Sequence, residues 1–105
     1  MKSKDIEAEK SWLVYILRCG DKSFYTGSTN NIEKRLAAHN QGIASKYTRG
    51  RLPVRLLATS EPLSRGEALH LEMKIKKLPK EEKLATLRMF AQTQREKSER
   101  FKQPN

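Results

Sequence analysis

The segment Ser11-Trp-Leu-Val-Tyr-Ile-Leu-Arg-Cys19 constrains the fold more than any other. It is apolar, β-branched and aromatic, as suits a buried strand. Gly20-Asp-Lys-Ser23 supplies turn chemistry, and Phe24-Tyr-Thr-Gly27 returns as a second strand, so a β-hairpin is expected. A helix follows: Asn30 is a good N-cap, Glu33 stands at capping-box spacing, Ile32 and Leu36 share an inward face, and Gly42 is a plausible stop. Ile43 to Leu52 reads as a basic loop and Pro53 to Thr59 as a third strand, with proline at its start where a missing donor is tolerated. Ser64 and Glu67 form a second capping box, opening a helix to about Lys77. Pro79 interrupts it, and a last helix over Lys80 to Phe90 turns Leu84 and Leu87 inward. The order β-β-α-β-α-α predicts a small α/β (α+β) domain with a three-stranded, mainly antiparallel sheet and flanking helices.

At 105 residues the chain is expected to hold one domain over 11–91, with a polar leader at 1–10 and a polar, frayed tail at 92–105. No run of 18 apolar residues is present, so no membrane partner is expected. A single cysteine, Cys19, excludes an intramolecular disulfide and a cysteine-based zinc site, and suits a reducing cytoplasm. The net charge is +10. Between Lys34 and Arg55 stand six basic residues (Lys34, Arg35, Lys46, Arg49, Arg51 and Arg55) and no acid. Such a block, with Tyr47 inside it, reads as a phosphate-facing surface; a solvated loop aiding solubility is the plainer alternative. Lys74, Lys76 and Lys77 offer a second basic surface.

Tyr15 and Tyr25 stand ten residues apart on the two arms of the hairpin. With positions of equal parity facing one side, both rings lie on one face of the sheet. Tyrosine favours strands, so the pair alone defines no site. Arg35 and His39 are four apart and neighbours on the first helix. Glu72 falls within the stripe of Ala68, Leu71 and Ile75, where an ionised carboxylate is costly unless paired or bound to a cation. Without a cation it is expected to be protonated or paired with Arg35. A metal here would keep most of its waters, as Mg²⁺ does near phosphates.

Taken together, Leu13-Val-Tyr15, Tyr25-Thr-Gly27, Asn31-Ile-Glu-Lys-Arg35-Leu-Ala-Ala-His39 and Leu71-Glu72 resemble the GIY-YIG nuclease signature, over about Trp12 to Leu78. The likeness is greatest to small stand-alone bacterial members. The resemblance implies that Tyr15 activates water or relays its proton, and that Tyr25 positions phosphate or water. Gly27 would allow close backbone approach, and Arg35 would stabilise the scissile phosphate. His39 would assist Tyr15, and Glu72 would hold one divalent cation, Mg²⁺ or Mn²⁺. The triads depart in reading Leu-Val-Tyr and Tyr-Thr-Gly, and the asparagine that larger members carry near the domain end has no match in Asn105.

The expected activity is metal-dependent endonucleolytic hydrolysis of DNA, with RNA as the second substrate. With no appended recognition domain, it is expected to be structure-selective rather than sequence-specific. The alternatives are a non-catalytic nucleic-acid-binding module on the same fold and an RNA-associated basic protein. A free tyrosine has a pKa of about 10, and Arg35 and a cation should ease its ionisation. Tyr15, Tyr25, Arg35 and Glu72 are also expected to converge on one concave, solvent-reachable site, with no two of these side chains pointing to opposite faces of the sheet.

Overall fold

The computed structural model describes residues 9–89 and 91. The expected leader and tail, and Phe90, therefore lie almost wholly outside the described residues.

Strands β1 (Leu13–Arg18), β2 (Phe24–Thr29) and β3 (Arg55–Thr59) form an antiparallel sheet in the order β2-β1-β3. The expected hairpin is present, with Tyr15 opposite Gly27 and Leu17 opposite Tyr25. Asp21 shapes its turn by accepting from the Ser23 amide at 3.0 Å and the Ser23 hydroxyl at 2.6 Å. Strand β3 starts at Arg55, two residues later than expected, because Asn40 holds the Val54 amide (2.8 Å) and carbonyl (3.0 Å). A backbone group held by a side chain is not free for the ladder.

Helix α1 (Ile32–Asn40) begins one residue later than its sequence suggests. Asn31, not Asn30, is the N-cap: its side chain accepts from the Lys34 amide at 3.1 Å, while Thr29 Oγ1 takes the Asn31 amide at 3.0 Å. The end matches the expected stop. Gly42, at φ +80°, returns its amide to His39 O, and the Ile43 amide returns to Ala38 O, a Schellman pattern that favours glycine. Within the expected loop lies one helical turn, α2 (Lys46–Arg49), where Ser45 Oγ accepts from the Thr48 amide at 3.1 Å. Helix α3 (Arg65–Lys76) opens on the expected Ser64–Glu67 capping box. Helix α4 (80–89) follows, and its Lys83 donates to the carbonyls of Ile75 and Lys76, both at 3.0 Å. Those are end carbonyls of α3, where Ile75 O also accepts from the Leu78 amide at 3.1 Å.

Alternation along β1 divides the interior in two. Val14 and Ile16 pack with Ala68, Leu71, Ile75 and Leu87 on the α3/α4 side. Tyr15, Leu17 and Cys19 pack with Val54, Ile32 and Leu36 on the α1 side. Each fully buried aliphatic side chain contributes roughly 1.5–3 kcal/mol. Among the described residues most of them (Val14, Ile16, Leu63, Leu71, Ile75 and Leu87) lie in the α3/α4 half, which carries more of the apolar core. No helix among the described residues is long and apolar enough to cross a membrane.

Candidate active site

On the α1 side, tyrosines from two strands meet a histidine from the helix. The Tyr15 and Tyr25 rings lie 6.4 Å apart, and His39 stands edge-on to both, at 5.9 and 5.1 Å. The Tyr15 hydroxyl is hydrogen-bonded to His39 Nε2 at 2.9 Å, and His39 Nδ1 to Thr48 Oγ1 at 2.8 Å. These groups are deeply buried: Tyr15 is 2% exposed, His39 1% and Thr48 0%. Buried polar groups are tolerated when hydrogen-bonded, and here each is.

Gly27 makes this packing feasible. A Cβ at that position would lie 2.5 Å from the Tyr15 hydroxyl oxygen, so the ring rests directly on β2 backbone. Gly27→Ala should force Tyr15 off His39 and destabilise the protein by about 1–3 kcal/mol, the usual cost of overpacking. Urea denaturation would measure it, and an unshifted midpoint would contradict this geometry.

Burial pushes the Tyr15 phenol well above the ordinary tyrosine range; neighbouring Tyr25 adds to this, Arg35 opposes it and Glu72 reinforces it. The expected easing of ionisation is therefore outweighed in the free protein. The His39 imidazole is shifted down by burial and then by Arg35, which keeps it neutral near pH 7. A neutral phenol bonded to a neutral imidazole is the resting state.

Glu72 is not paired with Arg35. Its Oε1 accepts from the Ser28 hydroxyl at 2.7 Å, and its Oε2 pairs at 2.9 Å with Lys76, one turn further along α3. The Glu72 side chain is 15% exposed. Ser28 faces Val14 across the hairpin and projects to the α3 side, opposite to Tyr15 and Tyr25. The expectation that no two of the four side chains point to opposite faces of the sheet is thus corrected at Glu72. β2 is an edge strand, and the Tyr15 ring lies across its Gly27, so the phenol and the carboxylate approach the same edge from opposite sides. The charges of Arg35 and Glu72 both act on the phenol. Tyr15 itself is not the solvent-reachable group expected; Tyr25 is half-buried and Arg35 exposed.

For a divalent cation, the Glu72 carboxylate and Ser28 hydroxyl are hard oxygen donors with partial access to water, a set that suits Mg²⁺ or Mn²⁺. Among the described residues no three His, Cys, Asp or Glu side chains gather as metal ligands, so such an ion would retain water or substrate oxygens.

The basic block is split by the fold. Lys34, Lys46, Arg49 and Arg55 are exposed. Arg51 is engaged: Nε bonds Asp21 at 3.0 Å, Nη1 bonds Tyr47 O at 2.9 Å, and the guanidinium lies 3.9 Å from the Tyr47 ring centre. Tyr47 in turn lies 5.9 Å from Tyr25, extending the aromatic group outward. A depression of about 280 Å³ opens beside Arg35 and Lys34, between the end of β2 and the start of α1. Sequence reasoning missed Thr48 and Ser28, and missed that Lys76 pairs with Glu72 and Asp21 with Arg51. The i, i+4 spacing of Glu72 and Lys76 was available as a signal; the others depend on tertiary contacts.

These features define a class before any relative is considered: a three-stranded sheet carrying a tyrosine pair, with an arginine and a glutamate on flanking helices. Residues 11–85 match the GIY-YIG catalytic domain, and the chain belongs to that family, one of nucleases acting on nucleic acids and generally metal-dependent. It is 48% identical over 81 residues to a UPF0213 protein of Nitratidesulfovibrio vulgaris, spanning 77% of this chain and 74% of that one. A UPF0213 protein of Clostridium perfringens is 54% identical over 71 residues, spanning 68% of this chain and 76% of its own. The solution NMR structure of the E. faecalis protein EF2693 shares the fold, with a TM-score of 0.54 and 41% identity over 80% of this chain and 90% of that one.

Proposed function

We propose that this chain is an endonuclease that hydrolyses phosphodiester bonds in DNA, and secondarily RNA, with one divalent cation at Glu72, selecting substrate structure rather than sequence. The observation that carries this reading is the buried Tyr15–His39 hydrogen bond, 2.9 Å long, with the charges of Arg35 and Glu72 acting on the same phenol. A fold needing only a core would be served more simply by apolar side chains there.

In the proposed reaction Arg35 donates to a non-bridging phosphate oxygen, and Tyr25 orients phosphate or water. Water attacks phosphorus while its proton passes to the Tyr15 oxygen and the phenolic proton passes to His39 Nε2. The phosphorus–oxygen bond to the leaving group breaks, and the departing oxygen takes a proton from solvent. A bound divalent cation supplies Lewis-acid stabilisation of the phosphate and leaving oxygen. Lys34, Lys46, Arg49 and Arg55 meet phosphates, which fixes position but carries no sequence information.

A second reading, a binding module without catalysis, is favoured by one observation: in the free protein Glu72 is already matched by Ser28 and Lys76. Cleavage of single-stranded, duplex, flapped and branched DNA and RNA with Mg²⁺ or Mn²⁺ separates the readings. Cutting of none of them, with binding retained, would establish the module.

The split basic block changes the expected salt response. Arg49→Ala should reduce the slope of log affinity against log salt by about 0.9 on duplex, or about 0.7 on single strands, for one lost phosphate contact. Arg51→Ala should reduce it much less, since that guanidinium is committed to Asp21 and Tyr47. Equal reductions in the two variants would mean that Arg51 leaves Asp21 on binding.

A further inference from the structure

His39 carries one ring proton when neutral, and which nitrogen holds it decides whether Nε2 can receive anything from Tyr15. The hydrogen bonds around it settle the question by counting. The Tyr15 and Thr48 hydroxyls and the neutral ring offer one hydrogen each. If Thr48 donates to the Ser45 carbonyl, 3.4 Å away, its oxygen is left to accept Nδ1–H at 2.8 Å. Nε2 is then a lone pair and accepts the Tyr15 hydrogen at 2.9 Å. All three hydrogens have acceptors. In the reverse arrangement Thr48 donates to Nδ1 and Nε2–H points at the Tyr15 oxygen. The phenolic hydrogen then has no acceptor among the described residues, at a residue only 2% exposed. An unmet buried donor is disfavoured, so the first arrangement prevails.

We infer that Thr48 is a positioning residue: its hydroxyl, turned toward Ser45 O, holds His39 in the Nδ1–H tautomer and so keeps Nε2 open to the Tyr15 proton. The side chain suits this task. Thr48 is wholly buried, and its amide is fixed by Ser45 Oγ at 3.1 Å. The Schellman turn after α1 delivers the short α2 helix back onto His39. The one-turn helix thus acts on the proposed reaction without touching substrate. The kinetic consequence rests on the nuclease reading; the tautomer does not.

The test is long-range ¹H–¹⁵N correlation of the His39 ring in the intact chain, with Thr48→Val and Thr48→Ser. Wild type should show a protonated Nδ1 and an unprotonated Nε2, and Thr48→Ser should match it. Thr48→Val removes the acceptor at nearly constant shape; each tautomer then leaves one buried donor unmet, so the proton should be shared between Nδ1 and Nε2 rather than held on Nδ1. On a substrate that the wild type cleaves, Thr48→Val should lower kcat about 10–100-fold, the range found for partners that orient metal-bound imidazoles. KM should stay within about threefold, and Thr48→Ser should restore kcat. An Nε2–H tautomer in wild type overturns the inference, as does an unchanged tautomer in Thr48→Val or a failure of Thr48→Ser to match wild type. If Thr48→Val does not fold, the wild-type and Thr48→Ser spectra still decide. A protein that cuts nothing yet shows the Nδ1–H tautomer would sink the nuclease reading and leave Thr48's role intact.

Discussion

Glu72→Gln should reduce cleavage by about a thousandfold or more, since the loss of a cation that stabilises several kcal/mol of transition-state charge has that effect. The substitution keeps the shape of the side chain and can keep the bond from Ser28. It removes the charge that pairs with Lys76 at 2.9 Å. Lys76 would then present its charge to the phosphates, so nucleic-acid affinity should hold or tighten slightly while Mg²⁺ binding is lost. Cleavage time courses, fluorescence anisotropy and calorimetric titration of Mg²⁺ measure the three effects. Should Glu72→Gln cut as fast as the wild type in a preparation free of contaminating nuclease, Glu72 is not the cation's ligand, and the proposed site fails with it.

Arg35→Ala should lower kcat by about 10²–10³, the range seen when one donor to a developing oxyanion is removed. A second, independent signal accompanies the loss. The Arg35 charge depresses both the Tyr15 phenol and the His39 imidazole, so removing it should move both titrations upward. For His39 the sign matters. Its lowered pKa gives stability that is present above the ordinary value near 6.5 and is lost as pH falls below it. Arg35→Ala should therefore weaken the decline in stability between about pH 7 and 5. Thermal denaturation across that range reads the stability effect, and histidine NMR titration reads the pKa. A variant with reduced kcat but an unmoved His39 titration would place Arg35 in contact with phosphate but remote from the Tyr15–His39 pair.

What could be read from the sequence was mostly what local chemistry decides. Apolar arms with turn residues between them dictated the hairpin, and equal parity put Tyr15 and Tyr25 on one face. Ser64 and Glu67 capped α3 as their spacing required. Local reasoning failed where two neighbours were equally able. Asn30 and Asn31 are both good caps, and the choice fell to the Thr29 hydroxyl at the strand end. It failed again where distant segments competed. The partner of Glu72 is Lys76 because α1, with Arg35, lies across the sheet from α3. Arg51 was expected at phosphates, and in the free protein it pairs with Asp21, an acid from the hairpin turn outside the basic block. Thr48 looked like part of a loop, and nothing nearby in the chain points to His39.

The alternation of β1 has a practical consequence for engineering. Because odd and even positions serve different halves of the interior, the α3/α4 half can be repacked at Ile75 or Leu87 without touching the phenol and the imidazole. The same exercise on the α1 half, at Leu36 or Val54, would disturb the walls that hold them. Ser28 and Glu72 are where this separation ends, since they join the apolar half to the β2 edge on which the Tyr15 ring lies. A stabilised variant of this protein is therefore best built from the α3 side inward, leaving that pair untouched. A single-residue slip of β1 would exchange the two sets at once, replacing tyrosine with isoleucine beside His39.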